Sequence, residues 1–85
     1  MMYIKDFLNK IKWDKRENPE DYEIFYFDRI LKKLIPIKFT EILEIEGSFL
    51  KLDRVEETYI PLHRVRKIIK KGKTVWERNR QNEKG

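Results

Sequence analysis

The chain has 85 residues, 40% hydrophobic and 41% charged, and its 20 basic and 15 acidic side chains leave a net charge of +5. That length holds one small domain, and with no cysteine and one histidine it can form neither a disulfide framework, a thiolate-bound metal site nor a histidine-rich zinc site. No apolar run approaches the roughly 20 residues of a membrane span, and lysines interrupt the apolar residues at the N-terminus, unlike a secretory signal, so the expectation is a soluble cytoplasmic protein without membrane, metal or cofactor.

Residues 2–11 carry Ile4, Phe7, Leu8 and Ile11 at three- and four-residue spacing, which predicts an amphipathic helix. Trp13 follows it, either packing the helix against the rest of the fold or offering a stacking surface. Asn18-Pro19-Glu20-Asp21 has turn chemistry. Residues 22–31 read as a central strand, with Phe25, Phe27 and Arg29 on one face and Ile24, Tyr26 and Asp28 on the other. Asp28 and Arg29 are placed to form an ion pair, or Arg29 joins the cations further on. Residues 30–36 fit either a continued strand or an exposed loop interrupted by Pro36. Residues 38–45 fit a short helical turn leading into a strand, with Thr40 as its cap, or a strand throughout; the turn with a short strand is preferred.

A turn at Glu46-Gly47 leads to a strand over residues 48–54. A polar turn then precedes a long strand over residues 58–70. Lys71-Gly72 joins that strand to a hairpin partner over residues 74–78. The fold class is therefore α+β: one domain over residues 1–78, an N-terminal helix packed on four or five mainly antiparallel strands, with partial barrel closure as a variant. Residues 79–85 are a polar, flexible tail.

The C-terminal hairpin carries the chemistry. Lys and Arg dominate residues 63–80, where Glu77 is the one acid, whereas most acids lie between Asp14 and Glu57. Such asymmetry points to a polyanion partner, against the alternative of a charge-rich solvated surface. With Lys71-Gly72 as a plain two-residue loop, Lys67 opposes Trp76. With Gly72 in a bulge, Arg66 opposes Trp76 and Arg64 opposes Arg78. The second register gathers Arg64, Arg66, Trp76 and Arg78 on one face and is preferred, because a half-buried sheet segregates its faces. Arg66 would then lie over Trp76, and a phosphate would relieve the repulsion between Arg64 and Arg78; nearby glutamates are the alternative neutralisers. His63 is either a structural hydrogen-bonding group, a donor to phosphate, or a general acid/base.

The series Ile11-Lys12-Trp13-Asp14, Tyr26-Phe27-Asp28-Arg29, Ile60-Pro61-Leu62-His63-Arg64-Val65, Gly72 and Val75-Trp76-Glu77-Arg78 resembles the RNA cyclic group end recognition domain. This family comprises small archaeal proteins formerly grouped as uncharacterised. The resemblance implies recognition of RNA ends, with a 2′,3′-cyclic phosphate terminus as ligand. By position it points to His63, Arg64, Trp76 and Arg78, with Asp28 and Arg29 as further candidates. Residues 30–36 depart from the Gly/Pro-containing loop of similar proteins.

Together these readings predict an RNA-binding module. His63, Arg64, Arg66, Arg78 and Arg29 would contact phosphate, and Trp76, Tyr26 or Trp13 would stack on a base. No catalytic residue is assigned. The alternatives are an RNA phosphoesterase using His63 and a protein-interaction module.

Overall fold

The computed structural model describes residues 3–56 and 58–78. Within them, helix α1 (Ile4–Trp13) precedes seven strands. These are β1 (Tyr22–Asp28), β2 (Lys33–Lys38), β3 (Ile42–Glu46), β4 (Phe49–Leu52), β5 (Thr58–Pro61), β6 (Val65–Lys70) and β7 (Lys73–Glu77). They form two antiparallel sheets, ordered β2-β1-β6-β7 and β3-β4-β5. The class is α+β as expected, and no closed barrel forms among the described residues. The expected polar tail, residues 79–85, lies outside the described residues, as does Met2 of the expected helix.

The strand number exceeds the four or five expected because two segments divide differently. Residues 30–36 supply most of β2, an edge strand. Pro36 is tolerated there because an edge position asks no ladder bond of its missing N–H. Residues 58–70 are not one strand. The 3-10 turn Leu62–Arg64 separates β5 from β6 and carries the chain from one sheet to the other. A 3-10 turn at Phe39–Glu41 does the same between β2 and β3. A third, Pro19–Asp21, starts β1, with the Asn18 side chain accepting from the Glu20 N–H. In each turn the N–H of the following residue closes back onto the carbonyl of the first: Tyr22 to Pro19, Ile42 to Phe39, Val65 to Leu62.

The first strand also ends sooner than residue 31. Oδ1 of Asp28 accepts from the N–H groups of Ile30 (2.8 Å) and Leu31 (2.9 Å), and the Lys32 N–H donates to the Asp28 carbonyl at 2.6 Å. An aspartate that bonds its own downstream backbone favours a turn over a ladder. Its carboxylate thus serves the turn, and the expected Asp28–Arg29 ion pair is absent among the described residues.

The core lies between the two sheets and α1. Leu8 and Ile11 of α1 meet Ile24, Ile37, Leu50, Leu52, Ile60, Val65, Ile68 and Trp76, all buried. Trp13 does not pack the helix down, as one sequence reading had it: it is 73% exposed.

The C-terminal hairpin follows neither expected register. Lys71 (φ 50°) and Gly72 (φ 84°) form a two-residue loop with Lys70 opposite Lys73 and Ile69 opposite Thr74. Both loop residues have positive φ, as such a hairpin turn requires. Val75 then bulges, so that Ile68 opposes Trp76 and Lys67 opposes Glu77. A second bulge places Arg66 between the register pairs Phe25–Lys67 and Tyr26–Val65 of β1 and β6. The extra residue in each strand inverts the inward–outward alternation beyond it. Trp76 therefore turns into the core and leaves the basic face. Ile69 and Val75 do not join the buried core.

At the hairpin-turn end, the Tyr22 hydroxyl donates to Glu17 Oε1, and Lys70 Nζ donates to the same oxygen at 3.3 Å. These bonds tie the loop before β1 to β6. The Tyr22 hydrogen bond, with help from Lys70, holds the Glu17 carboxyl below its ordinary value. Burial, then the bond to Glu17, pushes the Tyr22 phenol up.

Two outcomes follow. Trp76→Ala should cost about 3–5 kcal/mol, as for large core aromatics, with Trp76→Phe retaining most stability; chemical denaturation measures both. Because its folded value is depressed, Glu17 contributes stability that is present above about pH 4.5 and lost as pH falls through the folded value. Glu17→Gln should flatten that acidic limb in melts run from pH 6 to pH 3.

Candidate nucleic-acid interface

The face of the four-stranded sheet turned away from the core carries Phe25 and Phe27, both half-buried. Leu34 lies across from Phe27 in β2 and is exposed. Each ring has a cation beside it. Lys67 Nζ lies 5.1 Å from the Phe25 centroid and Arg66 Cζ lies 5.8 Å from that of Phe27. At the end of the sheet remote from the hairpin turn is a depression of about 240 Å³, lined by Phe27, Lys33, Leu34, Arg66, Lys67, Glu77 and Arg78. Its floor is apolar and its rim is charged, since lysine and arginine lay their stems along apolar surface and keep their heads in water.

Two of its arginines also hold the backbone at the corner between the sheets. Arg78 Nε donates to the Val65 carbonyl (3.2 Å) and its Nη2 to the Leu62 carbonyl (3.3 Å). The Arg78 N–H donates to the Arg66 carbonyl at 2.9 Å, closing the bulge. Arg66 Nη1 donates to the His63 carbonyl at 3.2 Å. The guanidinium groups thus supply donors to carbonyls of the 3-10 turn and of the first residue of β6. The expected stacking of Arg66 on Trp76 is replaced by Arg78, whose Cζ lies 5.4 Å from the Trp76 ring centroid.

Charge is segregated along the same sheet. At the hairpin-turn end, Lys70 pairs with Glu17 and Lys71 with Asp21. A larger cleft there, about 600 Å³, is lined by Glu20, Asp21 and Glu23 together with Lys38 and Lys71, so its charge is mixed. On the three-stranded sheet, the Glu46 carboxyl is pushed up by its hydrogen bond with Glu44 and by the charge there, and Arg54 pairs with Glu41 at 3.0 Å. By contrast, Lys33, Lys67, Arg64 and Arg78 form no ion pair among the described residues.

Arg66 and Arg78, singled out from sequence, both line the depression. His63 is exposed and Arg64 half-buried on the adjoining 3-10 turn. Trp76, chosen as a stacking residue, has its ring in the core at 9% exposure. Tyr26 packs against the core, and Ile35 and Val65 oppose it across the neighbouring strands. Arg29 is exposed in the β1–β2 turn and does not line the depression. Trp13 is at the C-terminal end of α1, with Lys12 Nζ 5.5 Å from its ring centroid. Sequence reasoning did not single out Phe27, Lys33, Leu34, Lys67 and Glu77 as lining residues. The alternation over β1 already put Phe25 and Phe27 on one face, which was the available signal.

The model of the MJ1316 RNA cyclic group end recognition domain matches residues 1–78, and the chain belongs to that family. A UPF0248 protein of Saccharolobus islandicus is 40% identical over 80 residues, covering 91% of this chain and all of the relative. A UPF0248 protein of Metallosphaera sedula is 40% identical over 77 residues, covering 91% of this chain and 94% of its own. One from Saccharolobus solfataricus is 38% identical over 80 residues, with 91% and 98% covered. No solved structure matches the chain.

Arg78 is therefore a structural fork as well as a surface cation. Arg78→Lys keeps the charge and loses the planar pair of donors. It should destabilise by about 1–2 kcal/mol. Arg64→Lys should stay within about 0.5 kcal/mol. Urea titrations of the two variants check the contrast.

Proposed function

We propose that this chain, as a member of that family, is an RNA-binding module that receives a phosphate-bearing RNA end on the cation-rich end of its four-stranded sheet. The observation that carries the reading is the segregation of charge. Lys33, Arg66, Lys67 and Arg78 line one depression with Phe27, Leu34 and a single carboxylate, Glu77, while carboxylates hold Lys70 and Lys71 at the opposite end. Cations gathered in this way engage phosphate oxygens by charge-assisted hydrogen bonds. Half-exposed rings between them suit unstacked bases, the part of RNA that proteins read. The family's name, which speaks of a cyclic group at an RNA end, supports a terminal or 2′,3′-cyclic phosphate as the group bound.

The module binds without turning RNA over. Cleaving or opening a phosphodiester calls for a positioned acid and base. The chain's one histidine, His63, is exposed on the 3-10 turn. Arg64, beside it in the same turn, extends the basic surface.

Binding should be measured with short single-stranded RNAs identical except for an end carrying a cyclic phosphate, a 3′-phosphate or a hydroxyl. The phosphorylated ends should bind more tightly, and affinity should fall steeply with salt. Lys33→Gln should reduce the slope of log K against log salt by roughly 0.7, the value for one phosphate contact to a single strand. Equal affinity for the three ends would remove end recognition and leave RNA binding. Release of labelled product during incubation would replace the binding module with a phosphoesterase.

A further inference from the structure

A bare phosphate does not account for the depression. Its lining includes Phe27 and Leu34, cross-strand partners in β1 and β2, and apolar lining gives an anion nothing in return for lost water. Its rim contains one carboxylate, Glu77, set among the cations Lys33, Arg66, Lys67 and Arg78. A carboxylate in that position opposes phosphate. Glu77 lies directly across from Lys67 in the β6–β7 ladder, and no ion pair joins them among the described residues. Lys67 instead lies over the Phe25 ring. The cross-strand pair therefore offers a cationic donor and an anionic acceptor side by side, about 5 Å apart at their Cβ atoms.

Size narrows the occupant. At about 240 Å³ the depression falls below the roughly 300–1,000 Å³ of sites that enclose a whole drug-sized ligand, which suits one planar ring system and not a length of chain. An apolar floor, a cationic rim and a single carboxylate suit a nucleobase attached to a phosphate. Among the four bases, guanine alone offers a carboxylate two adjacent donors, N1–H and the N2 amino group, while its O6 and N7 accept from lysine or arginine.

We propose that this depression is a base-binding subsite for an unpaired terminal guanine, packed against Leu34 and the Arg66–Phe27 pair, with Glu77 accepting from its Watson–Crick edge and Lys67 donating to its acceptors. The subsite rests on the RNA-end reading and adds to it. The phosphate of the same nucleotide stays with the neighbouring cations. Glu77 is a specificity residue here: it contributes selectivity at the expense of general phosphate affinity.

The test is a series of single-stranded RNA pentamers, alike in their 3′-phosphate and differing only in the terminal base, titrated against the full chain by fluorescence anisotropy. The terminal-guanine RNA should bind roughly tenfold more tightly than the other three, the scale of one good bidentate base contact. Glu77→Gln should erase that preference and leave the other three as tight or tighter, since a repulsive charge is gone. Phe27→Ala should weaken all four. Pairing the terminal guanine in a blunt duplex should weaken it too. Equal affinity of the unmodified protein for all four bases overturns the subsite and needs no variant to do so, while leaving RNA-end binding in place. A guanine preference that survives Glu77→Gln overturns the role of Glu77. If no RNA binds at all, the RNA-end reading fails, and the subsite with it.

Discussion

The two bulges of the C-terminal hairpin decide which side chains this protein hides and which it shows. A regular ladder from Val65 to Glu77 would alternate faces with period two. The extra residue at Arg66 lets Val65 and Ile68, three apart, both turn inward. The extra residue at Val75 brings Trp76 opposite Ile68, so the largest side chain of the hairpin fills the core. What remains outside is Arg66, Lys67 and Glu77, next to the Phe25 and Phe27 rings of β1. Bulges are known to re-aim side chains beside functional sites, and here one pair of them builds the core and the candidate interface together.

The corner between the sheets ties the interface to the fold. Where the chain leaves β5 and enters β6 through a 3-10 turn, the carbonyls of Leu62, His63 and Val65 accept from the guanidinium groups of Arg66 and Arg78. An arginine already held by backbone bonds has surrendered its rotamer freedom during folding, so it loses less on meeting an anion. The planar fork serves this double role, and a lysine ammonium would serve it less well.

Electrostatics completes the division of labour along the sheet. Glu17 and Asp21 sit at the hairpin-turn end and take up Lys70 and Lys71, two of the cations that make the hairpin look uniformly basic. The pair of Lys71 with Asp21, whose lysine is exposed, adds little to stability. The consequence of the two pairs is spatial: Lys70 and Lys71 are taken up by carboxylates, while Lys33, Lys67 and Arg78 at the other end form no ion pair among the described residues. Net charge of +5 thus understates the field a phosphate would meet there.

Much of the fold could be read from local chemistry. The spacing of Ile4, Phe7, Leu8 and Ile11 announces α1, the alternation over residues 22–28 announces β1, and Lys71-Gly72 announces the hairpin, because helix and strand periods and turn residues act over a few neighbours. The basic character of the C-terminal segment, and Arg66 and Arg78 within it, were legible for the same reason. The role of Trp76 was not. A bulge is a choice between registers of nearly equal local energy, settled by which one fills the space between two sheets and a helix, and that space exists only when residues far apart in the chain are assembled. The same long-range packing set Tyr26 against the core, left Trp13 in solvent, and brought Lys33 and Leu34 of β2 beside Arg66 and Glu77, more than thirty residues later. Chain chemistry therefore supplied the elements and their charge, and assembly supplied the faces.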